Sequence, residues 1–292
     1  MLWLYLVILA TVIWAAVNIV DKYVVSNRIK PINYMLISGI VSFSVAVLLQ
    51  IYLNLNFPDF EIILIALILA VLNVSGTLLY LKALQKEEVS KAMLVFQINP
   101  IFVLILAYLF LSEILTLQQY IGFFVVFAGV FLISFRKTIS SLFEKELILM
   151  IIASLVFAIY DVIIKFTLSF TDFITLFVWL KMFYFLIILI ILLPQMKETL
   201  SMFKQNKKII PVSFIAESAS ASAYLIFFFA LALGSVTLIS LIYSVQPAFV
   251  FLFALIISIF RPDILKEELE KKHLLRKLIS LVLIFAGAIL LI

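Results

Sequence analysis

The sequence predicts an all-α integral membrane protein with ten transmembrane helices, arranged as two inverted five-helix repeats. Three observations carry this prediction: an apolar composition, an internal sequence echo and an uneven distribution of Lys and Arg. Hydrophobic residues make up 66% of the 292-residue chain, which includes 29 Phe, and charged residues make up only 13%. No soluble domain covers so apolar a surface with so few charges, so the expected surroundings are a lipid bilayer.

The chain divides into ten apolar stretches, each about as long as the roughly 20 residues that a helix needs to cross the hydrocarbon. Most connections between them are short, which places consecutive helices side by side and antiparallel. The first stretch has neither the basic leader nor the small-residue cleavage site of a secretory signal, so we predict that it is retained. In chain order the predicted spans are residues 2–20, 34–53, 61–82, 90–111, 117–135, 147–167, 173–193, 210–232, 237–259 and 275–292.

Spans 4 and 9 each contain a proline in similar surroundings. Residues 80–100 and 227–247 align with 5 identities in 21 positions, and the alignment places Pro100 opposite Pro247. Shared Leu means little in so apolar a chain, but the matched prolines are harder to assign to chance. Internal duplication in a membrane protein is typical of transporters.

The first and last spans of each half support the same pairing. Residues 14–22 in span 1 and 157–165 in span 6 align at an aromatic, a polar and a lysine position. Spans 5 and 10 share the sequence Phe-Ala-Gly at residues 127–129 and 285–287. Small residues of this kind allow close packing of membrane helices.

The basic residues predict the orientation of the two halves. Of 21 Lys and Arg, 19 follow odd-numbered spans or lie at their ends, and the other two are Lys165 and Lys181. Because positive loops face the cytoplasm, this bias places both termini on the non-cytoplasmic side and equivalent loops of the two halves on opposite sides. We therefore predict inverted repeats at residues 1–138 and 139–292 of a multi-pass cell-membrane protein.

Several of these segments together resemble the drug/metabolite transporter superfamily, specifically its EamA-type ten-helix members. The resemblance is carried by the starts of spans 1 and 6, by residues 80–100, by Ala-Tyr-Leu-Phe-Leu-Ser-Glu at 107–113 and by the glycines at 122 and 129. In the second half, Phe-Arg-Pro-Asp at 260–263 replaces the usual small-residue–Glu end of the fourth helix. The resemblance implies a central cavity lined mainly by helices 1, 3, 4, 6, 8 and 9. It also implies cytoplasmic termini in many members, opposite to the charge bias here.

The two prolines are candidate hinges. A proline inside a helix removes a backbone hydrogen bond and clashes with the preceding turn, which leaves carbonyl groups available for other partners. Polar residues stand beside both Pro100 and Pro247, which favours a role in gating or ligand binding. The alternative is that these are ordinary membrane-helix prolines.

Ionisable residues inside the spans are candidates for coupling or substrate binding, because charges in lipid are costly and usually face a cavity or a partner. Lys181 and Glu217 have no opposite charge on their own helices, so each is expected to find a partner on another helix, and they could serve one another. Asp161 and Lys165 can pair directly at i, i+4. Asp161 and Glu217 are the candidate proton-coupling carboxylates, with a structural locking pair as the alternative for Lys181 and Glu217.

Polar and aromatic side chains on the predicted cavity helices are the candidate substrate-binding residues, because a hydroxyl or amide in hydrocarbon seeks a hydrogen-bond partner. Together with Lys181 they are Trp14, Asn18, Asn73, Tyr80, Gln97, Asn99, Tyr160, Tyr224, Tyr243 and Gln246.

The sequence lacks the residues that metal binding, nucleophilic catalysis and phosphate binding require. The chain has no Cys, six Gly and a single His, His273, in the charged loop before span 10. We find no metal-ligand cluster, catalytic triad or Gly-rich phosphate loop, so we expect no cofactor, no metal and no enzymatic activity. The net charge of +5 is explained by topology, so nucleic acid is not an expected partner.

The sequence therefore predicts a secondary active transporter, an exporter of small metabolites such as amino acids or related amphipathic compounds. One alternative is an exchanger of phosphorylated or nucleotide-linked anions, for which Lys22, Lys165 and Lys181 are the available cations. Another is a non-transporting membrane scaffold, in which Lys181 and Glu217 would point outward. The expected partners are a small-molecule substrate and lipid, and both a monomer and a homodimer remain open.

Overall fold

The fold was described from a computed structural model. It covers residues 2–26, 29–86, 92, 95–134, 145–260 and, near the C-terminus, 279–280, 282–283, 286–287 and 289–290. His273, the loop at residues 261–277 and most of the predicted tenth span lie outside these residues. The ten-helix inverted-repeat arrangement and the boundary between residues 138 and 139 therefore stay predictions.

The described residues are almost entirely helical. Helices α1 to α7 correspond to predicted spans 1 to 7, α9 to span 8, and α10 with α11 to span 9. Among the residues that the structure describes, six helices are long and apolar enough to cross a membrane, namely α1, α2, α3, α6, α7 and α9. The helices are α1 (Leu2–Ser26), α2 (Pro31–Tyr52), α3 (Phe60–Lys86), α4 (Asn99–Leu111), α5 (Leu117–Ser134), α6 (Lys145–Thr167), α7 (Phe173–Leu192), α8 (Met196–Gln205), α9 (Ile209–Leu233), α10 (Val236–Tyr243) and α11 (Gln246–Phe260).

Helix α8 occupies part of the connection between predicted spans 7 and 8, where no helix was predicted. Thr199 is buried, whereas Lys197 and Lys204 are exposed, so one side of this short helix packs on the protein. An ion pair of 2.6 Å between Lys30 and Glu198 joins it to the residue preceding α2. A short amphipathic helix of this kind has no long apolar run, so its sequence does not predict a membrane span.

The two proline-containing spans are both broken in the same way. In span 4 a turn at residues 97–98 precedes α4, and in span 9 a turn at 244–245 separates α10 from α11. The backbone hydrogen bonds around the turns have the same register. Ile98 N–H donates to Val95 O at 3.2 Å and Val245 N–H to Ile242 O at 3.1 Å, each over three residues instead of four. Each proline then stands in the first turn of the following helix, where its missing N–H costs nothing.

The helices pack in pairs that join the two halves. Helix α1 lies along α9, α3 along α6, and α2 along α7, while α4 contacts α6 and α1 contacts both α10 and α11. The same neighbours are found when each span of the first half is replaced by the corresponding span of the second half. The contact of spans 1 and 8 (α1 and α9) then corresponds to that of spans 6 and 3 (α6 and α3). The hydrophobic core is thus shared between the halves.

Glu113, just after α4, ties the first half to the start of α10. Its carboxylate accepts hydrogen bonds from Ser235 Oγ at 2.6 Å, Thr237 Oγ1 at 2.9 Å, Val236 N–H at 3.1 Å and Thr237 N–H at 3.2 Å. The first N–H groups of a helix have no partner within it and carry partial positive charge, so a carboxylate is a suitable cap. Ser112, in a left-handed conformation with φ of 54°, ends α4 and turns the chain toward this contact.

Gly287, in the predicted tenth span, shows why a small residue recurs in the Phe-Ala-Gly sequences. A Cβ atom at this position would lie 2.7 Å from Val126 N and 2.9 Å from Gly122 O, both on α5. Only glycine permits so close a backbone approach.

Candidate functional site

A cavity of about 120 Å³ lies where helices of both halves meet. Its volume is of the order of the roughly 150 Å³ that holds a benzene molecule in an engineered protein cavity. Eleven of the predicted site residues line it: Trp14, Asn18, Asn73, Tyr80, Asn99, Tyr160, Asp161, Lys181, Glu217, Tyr224 and Tyr243. Besides the helices expected from the resemblance, α2 and α7 also contribute to the wall, the latter through Lys181 and Tyr184.

Two predicted residues, Gln97 and Gln246, are not among the cavity residues. Both are buried, and within the described part of the chain neither side-chain amide makes a hydrogen bond within 3.5 Å. Gln97 opens the turn that precedes α4, two residues before the cavity-lining Asn99, and side chains two positions apart in a helical turn face nearly opposite ways. The turn at 244–245 likewise separates Gln246 from the lining residue Tyr243.

One end of the cavity is acidic and is built from α1, α2 and α9. Tyr34 OH donates to Asp21 Oδ1 at 2.7 Å, and the carboxylate of Glu217 interacts with both Tyr34 and Ser38. Asp21 and Glu217 are 7% and 8% exposed and lie close enough to interact electrostatically. Asp21 is not among the site residues predicted from the sequence, because it lies beyond the expected end of span 1. Its position three residues after Asn18, on the same helix face, is the signal that could have found it.

Lys181, in α7, also lines the cavity. It is 2% exposed, and its ammonium is 3.7 Å from the centre of the Tyr224 ring and 5.3 Å from that of Tyr184. No ion pair within 4.0 Å joins it to Glu217, so the expected direct partnership of these two residues is not formed. An ammonium over an aromatic face gains electrostatic stabilisation when the site is dry, which explains how Lys181 is held without an adjacent carboxylate.

Lys165 and Lys22 have equivalent structural roles. The expected pair of Lys165 with Asp161 is not found, because Lys165 Nζ instead donates to Leu231 O at 2.9 Å near the end of α9. Lys22 Nζ donates to Leu84 O at 2.8 Å near the end of α3. Leu84 and Leu231 occupy matching positions in the sequence echo. Each lysine therefore satisfies a helix-end carbonyl within its own half.

Aromatic rings form the apolar part of the wall. Trp14 meets Tyr224, Phe227 and Tyr243 edge-on, with ring centroids 4.9, 5.3 and 5.4 Å apart. Its Nε1 donates to Ser220 Oγ at 3.3 Å, which fixes the indole. Such edge-to-face contacts are the preferred arrangement of aromatic pairs, so the cluster provides a rigid apolar surface beside the charged groups.

Two donors of the wall make no hydrogen bond within 3.5 Å among the described residues. Asn73 Nδ2 and Tyr160 OH belong to side chains that are each 1% exposed. Both residues interact with Tyr224. The ammonium of Lys181 lies over the ring of the same tyrosine. Other polar groups are satisfied: Tyr80 OH donates to Asn18 Oδ1 at 3.0 Å, and Asn99 Nδ2 donates to Ser154 O at 2.9 Å.

The charges of the wall are unequal. The described cavity residues include three carboxylates, those of Asp21, Asp161 and Glu217, and one ammonium, that of Lys181. Within the described ranges no group of three His, Asp or Glu side chains is placed to hold a metal ion. The wall can therefore bind through charge, hydrogen bonds and aromatic faces.

Comparisons with known proteins agree with this architecture. The sequence profile of the EamA-like transporter family, a family of the drug/metabolite transporter superfamily, matches residues 1–135 and 144–292. An uncharacterized protein of Methanocaldococcus jannaschii is 39% identical over 88 residues, which are 30% of this chain and 64% of that protein. The match thus spans less than two thirds of the relative's length. A solved crystal structure superposes with a TM-score of 0.72 at 10% identity, covering 99% of this chain and 95% of the other, and so shares its fold.

Proposed function

Because this chain belongs to the EamA-like transporter family, we propose that it is a secondary active exporter of small metabolites, namely amino acids or related amphipathic compounds, working by alternating access. Membership in this family makes the chain a multi-pass membrane transporter and not an enzyme. The substrate class, the direction of transport, the placement in the cell membrane and the mechanism belong to the proposal.

The observation that carries the proposal is the polar cavity between the two halves. Helices of both halves line it, these helices pack as exchangeable pairs, and its wall includes buried charged residues. Secondary transporters bind substrate near the middle of the membrane, between structural repeats and next to interrupted helices. Here α4 and α10 contribute cavity residues and both adjoin a break.

In this mechanism the helices bend at the two breaks. Pro100 and Pro247 each follow a turn that lacks regular helical hydrogen bonds, so bending there costs less than bending an intact helix. With inverted halves, each break would act on the opposite side of the membrane. Asp161 and Glu217 would couple transport to protons, because a buried carboxylate that takes up a proton changes the charge of the cavity.

The charge of the cavity argues against the alternatives. An exchanger of phosphorylated anions needs a surplus of cations, whereas three carboxylates face one lysine across the described wall. Lys22 and Lys165 satisfy helix-end carbonyls. A scaffold would present its membrane charges to lipid or to a partner, whereas Lys181 and Glu217 face inward.

Transport measured in inverted membrane vesicles tests the proposal. Proton-driven uptake of a substrate found in a metabolite panel should collapse in Glu217→Gln or Asp161→Asn, while substrate counterflow without a proton gradient persists. The exposed Glu61→Gln variant is the matched control and should behave as wild type. Unchanged proton coupling in both cavity variants would remove the coupling role, and transport of anions alone would favour the exchanger.

A further inference from the structure

We propose that helix α8 and the turn after it form a binding surface for the headgroups of anionic phospholipids in the adjoining leaflet. This basic surface of α8 combines four exposed lysines with one exposed leucine. The inference concerns the outside of the protein and is independent of the transported substrate. The surface residues are Lys197, Leu200, Lys204, Lys207 and Lys208.

The position of α8 in the chain brings it next to the lipid headgroups. It follows α7, which ends at Leu192, and precedes α9, which begins at Ile209. Both neighbours are long and apolar enough to cross a membrane, so the segment between them lies where one leaflet meets water. Leu193 and Leu200 are 61% and 51% exposed, which is unfavourable in water but favourable at the boundary with acyl chains.

Contacts with the protein determine which side of α8 faces outward. Thr199 Oγ1 donates to Asn33 Oδ1 at 3.4 Å, and Asn33 Nδ2 donates to Met202 Sδ at 3.3 Å. The ion pair of Lys30 with Glu198 joins α8 to the same end of α2. Thr199 and Met202 thus face the protein, and the two lysines within α8 lie on the opposite side of the helix. The lysines are therefore presented by a docked helix.

The charge of the basic surface of α8 is positive. Glu198 is the one acidic residue among residues 193–209, and it is paired with Lys30. In the part of the chain that the structure describes, no ion pair within 4.0 Å engages any of the four surface lysines. An anionic headgroup supplies the complementary charge, and a lysine near an anionic membrane surface contributes favourably to binding.

The spacing of the side chains matches a headgroup with its acyl chains. Lys197 and Lys204 are seven positions apart, which is two helical turns or about 10 Å along the helix axis. Leu200 lies between them. Basic residues beside an exposed leucine allow the ammonium groups to bind phosphate while the leucine contacts acyl chains.

A purely topological role for these lysines makes a different prediction. The preference of Lys and Arg for one side of a membrane requires positive charge there but no particular arrangement. Lys82 and Lys86 are also exposed, near the end of α3, and belong to the same charge bias of the odd-numbered spans. If only topology matters, this pair and the pair in α8 are equivalent in lipid binding.

Lipid titration of the purified full-length protein in detergent tests the inference. Ser201, exposed on α8, is replaced by cysteine in the Cys-free chain and labelled with a fluorophore whose emission shifts in apolar surroundings, so the signal reports on this surface. The probes are dioleoyl-phosphatidylglycerol and dioleoyl-phosphatidylcholine, which share their acyl chains and differ in net charge. We expect phosphatidylglycerol to bind at least about tenfold more tightly.

Variants assign the binding to the lysines of α8. Each lysine near an anionic surface changes affinity about fivefold, so Lys197→Gln combined with Lys204→Gln should weaken phosphatidylglycerol about 25-fold. Binding of phosphatidylcholine should stay within about twofold. Lys197→Arg combined with Lys204→Arg keeps both charges and should bind phosphatidylglycerol as the parent does. Lys82→Gln combined with Lys86→Gln is the matched control and should change neither lipid.

Three results would overturn the inference. Equal affinity for the two lipids would remove the headgroup preference. An equal loss in the α3 control pair would reduce the lysines of α8 to topology. Displacement of phosphatidylglycerol by millimolar inorganic phosphate would identify the ligand as a free anion. None of these results bears on transport in vesicles, and an absence of transport would overturn the proposed function without affecting the lipid surface.

Discussion

Removal of the Glu113 carboxylate should destabilise the junction between the two halves measurably. In Glu113→Ala the N–H groups of Val236 and Thr237 lose their acceptor, and the start of α10 loses a negative charge. Two partly buried donors left without a partner cost about 1–2 kcal/mol each, and the charge at a helix N-terminus adds a few tenths to about 1 kcal/mol. The hydroxyls of Ser235 and Thr237 can turn to other acceptors and add nothing, so we expect a total loss of about 2–5 kcal/mol.

The measurement is thermal unfolding of the purified protein in detergent. At about 2 °C for each kcal/mol in a chain of this size, Glu113→Ala should unfold roughly 4–10 °C below wild type. Glu113→Gln keeps one acceptor oxygen and should lose about half as much. Exposed Glu61→Gln is the control for loss of a surface carboxylate. A Glu113→Ala protein that unfolds within about 1 °C of wild type would refute the view that this carboxylate joins the halves.

Three further changes test other features of the fold. Pro100→Ala and Pro247→Ala should impair opening toward opposite faces, measured by labelling single cysteines introduced into the Cys-free chain at either end of the cavity; equal effects on both faces would reduce the prolines to packing. Lys22→Met and Lys165→Met should each lower stability by about 1–2 kcal/mol in thermal unfolding, because a helix-end carbonyl loses a charged donor; a loss in only one variant would contradict their equivalence. Gly287→Val should cost about 1–3 kcal/mol or more through overpacking against α5, whereas wild-type stability would exclude the close approach.

The sequence predicted those parts of the fold that depend on long local patterns. Apolar runs located the six long helices, and the matched Pro100 and Pro247 located both breaks. Helix α8 was missed because its stability comes from one buried side and contacts such as Lys30 with Glu198, not from a long apolar run. The end of α1 was placed too early because its last turns are polar, and that error hid Asp21.

The sequence of a single helix predicted which charged residues face inward, but not which residues of other helices they contact. Burial cost alone indicated that Lys181, Glu217 and Asp161 need an inward-facing environment, and all three line the cavity. Their partners could not be read from spacing. Lys165 bonds to Leu231 O on α9 in place of its i−4 neighbour, and Lys181 lies on the Tyr224 ring, because tertiary packing brings these groups closer than the charges expected from sequence.

The contacts of Asn99 and Glu113 also bear on the order in which the chain can assemble during synthesis. Asn99 bonds to the carbonyl of Ser154 in α6, and Glu113 bonds to residues 235–237, which the ribosome makes more than a hundred residues later. At about 1.5 Å per residue, the 13 residues of α4 reach only about 20 Å and cannot cross a hydrocarbon core of roughly 30 Å alone. These contacts of Asn99 and Glu113 can therefore form only after much of the second half has been synthesised.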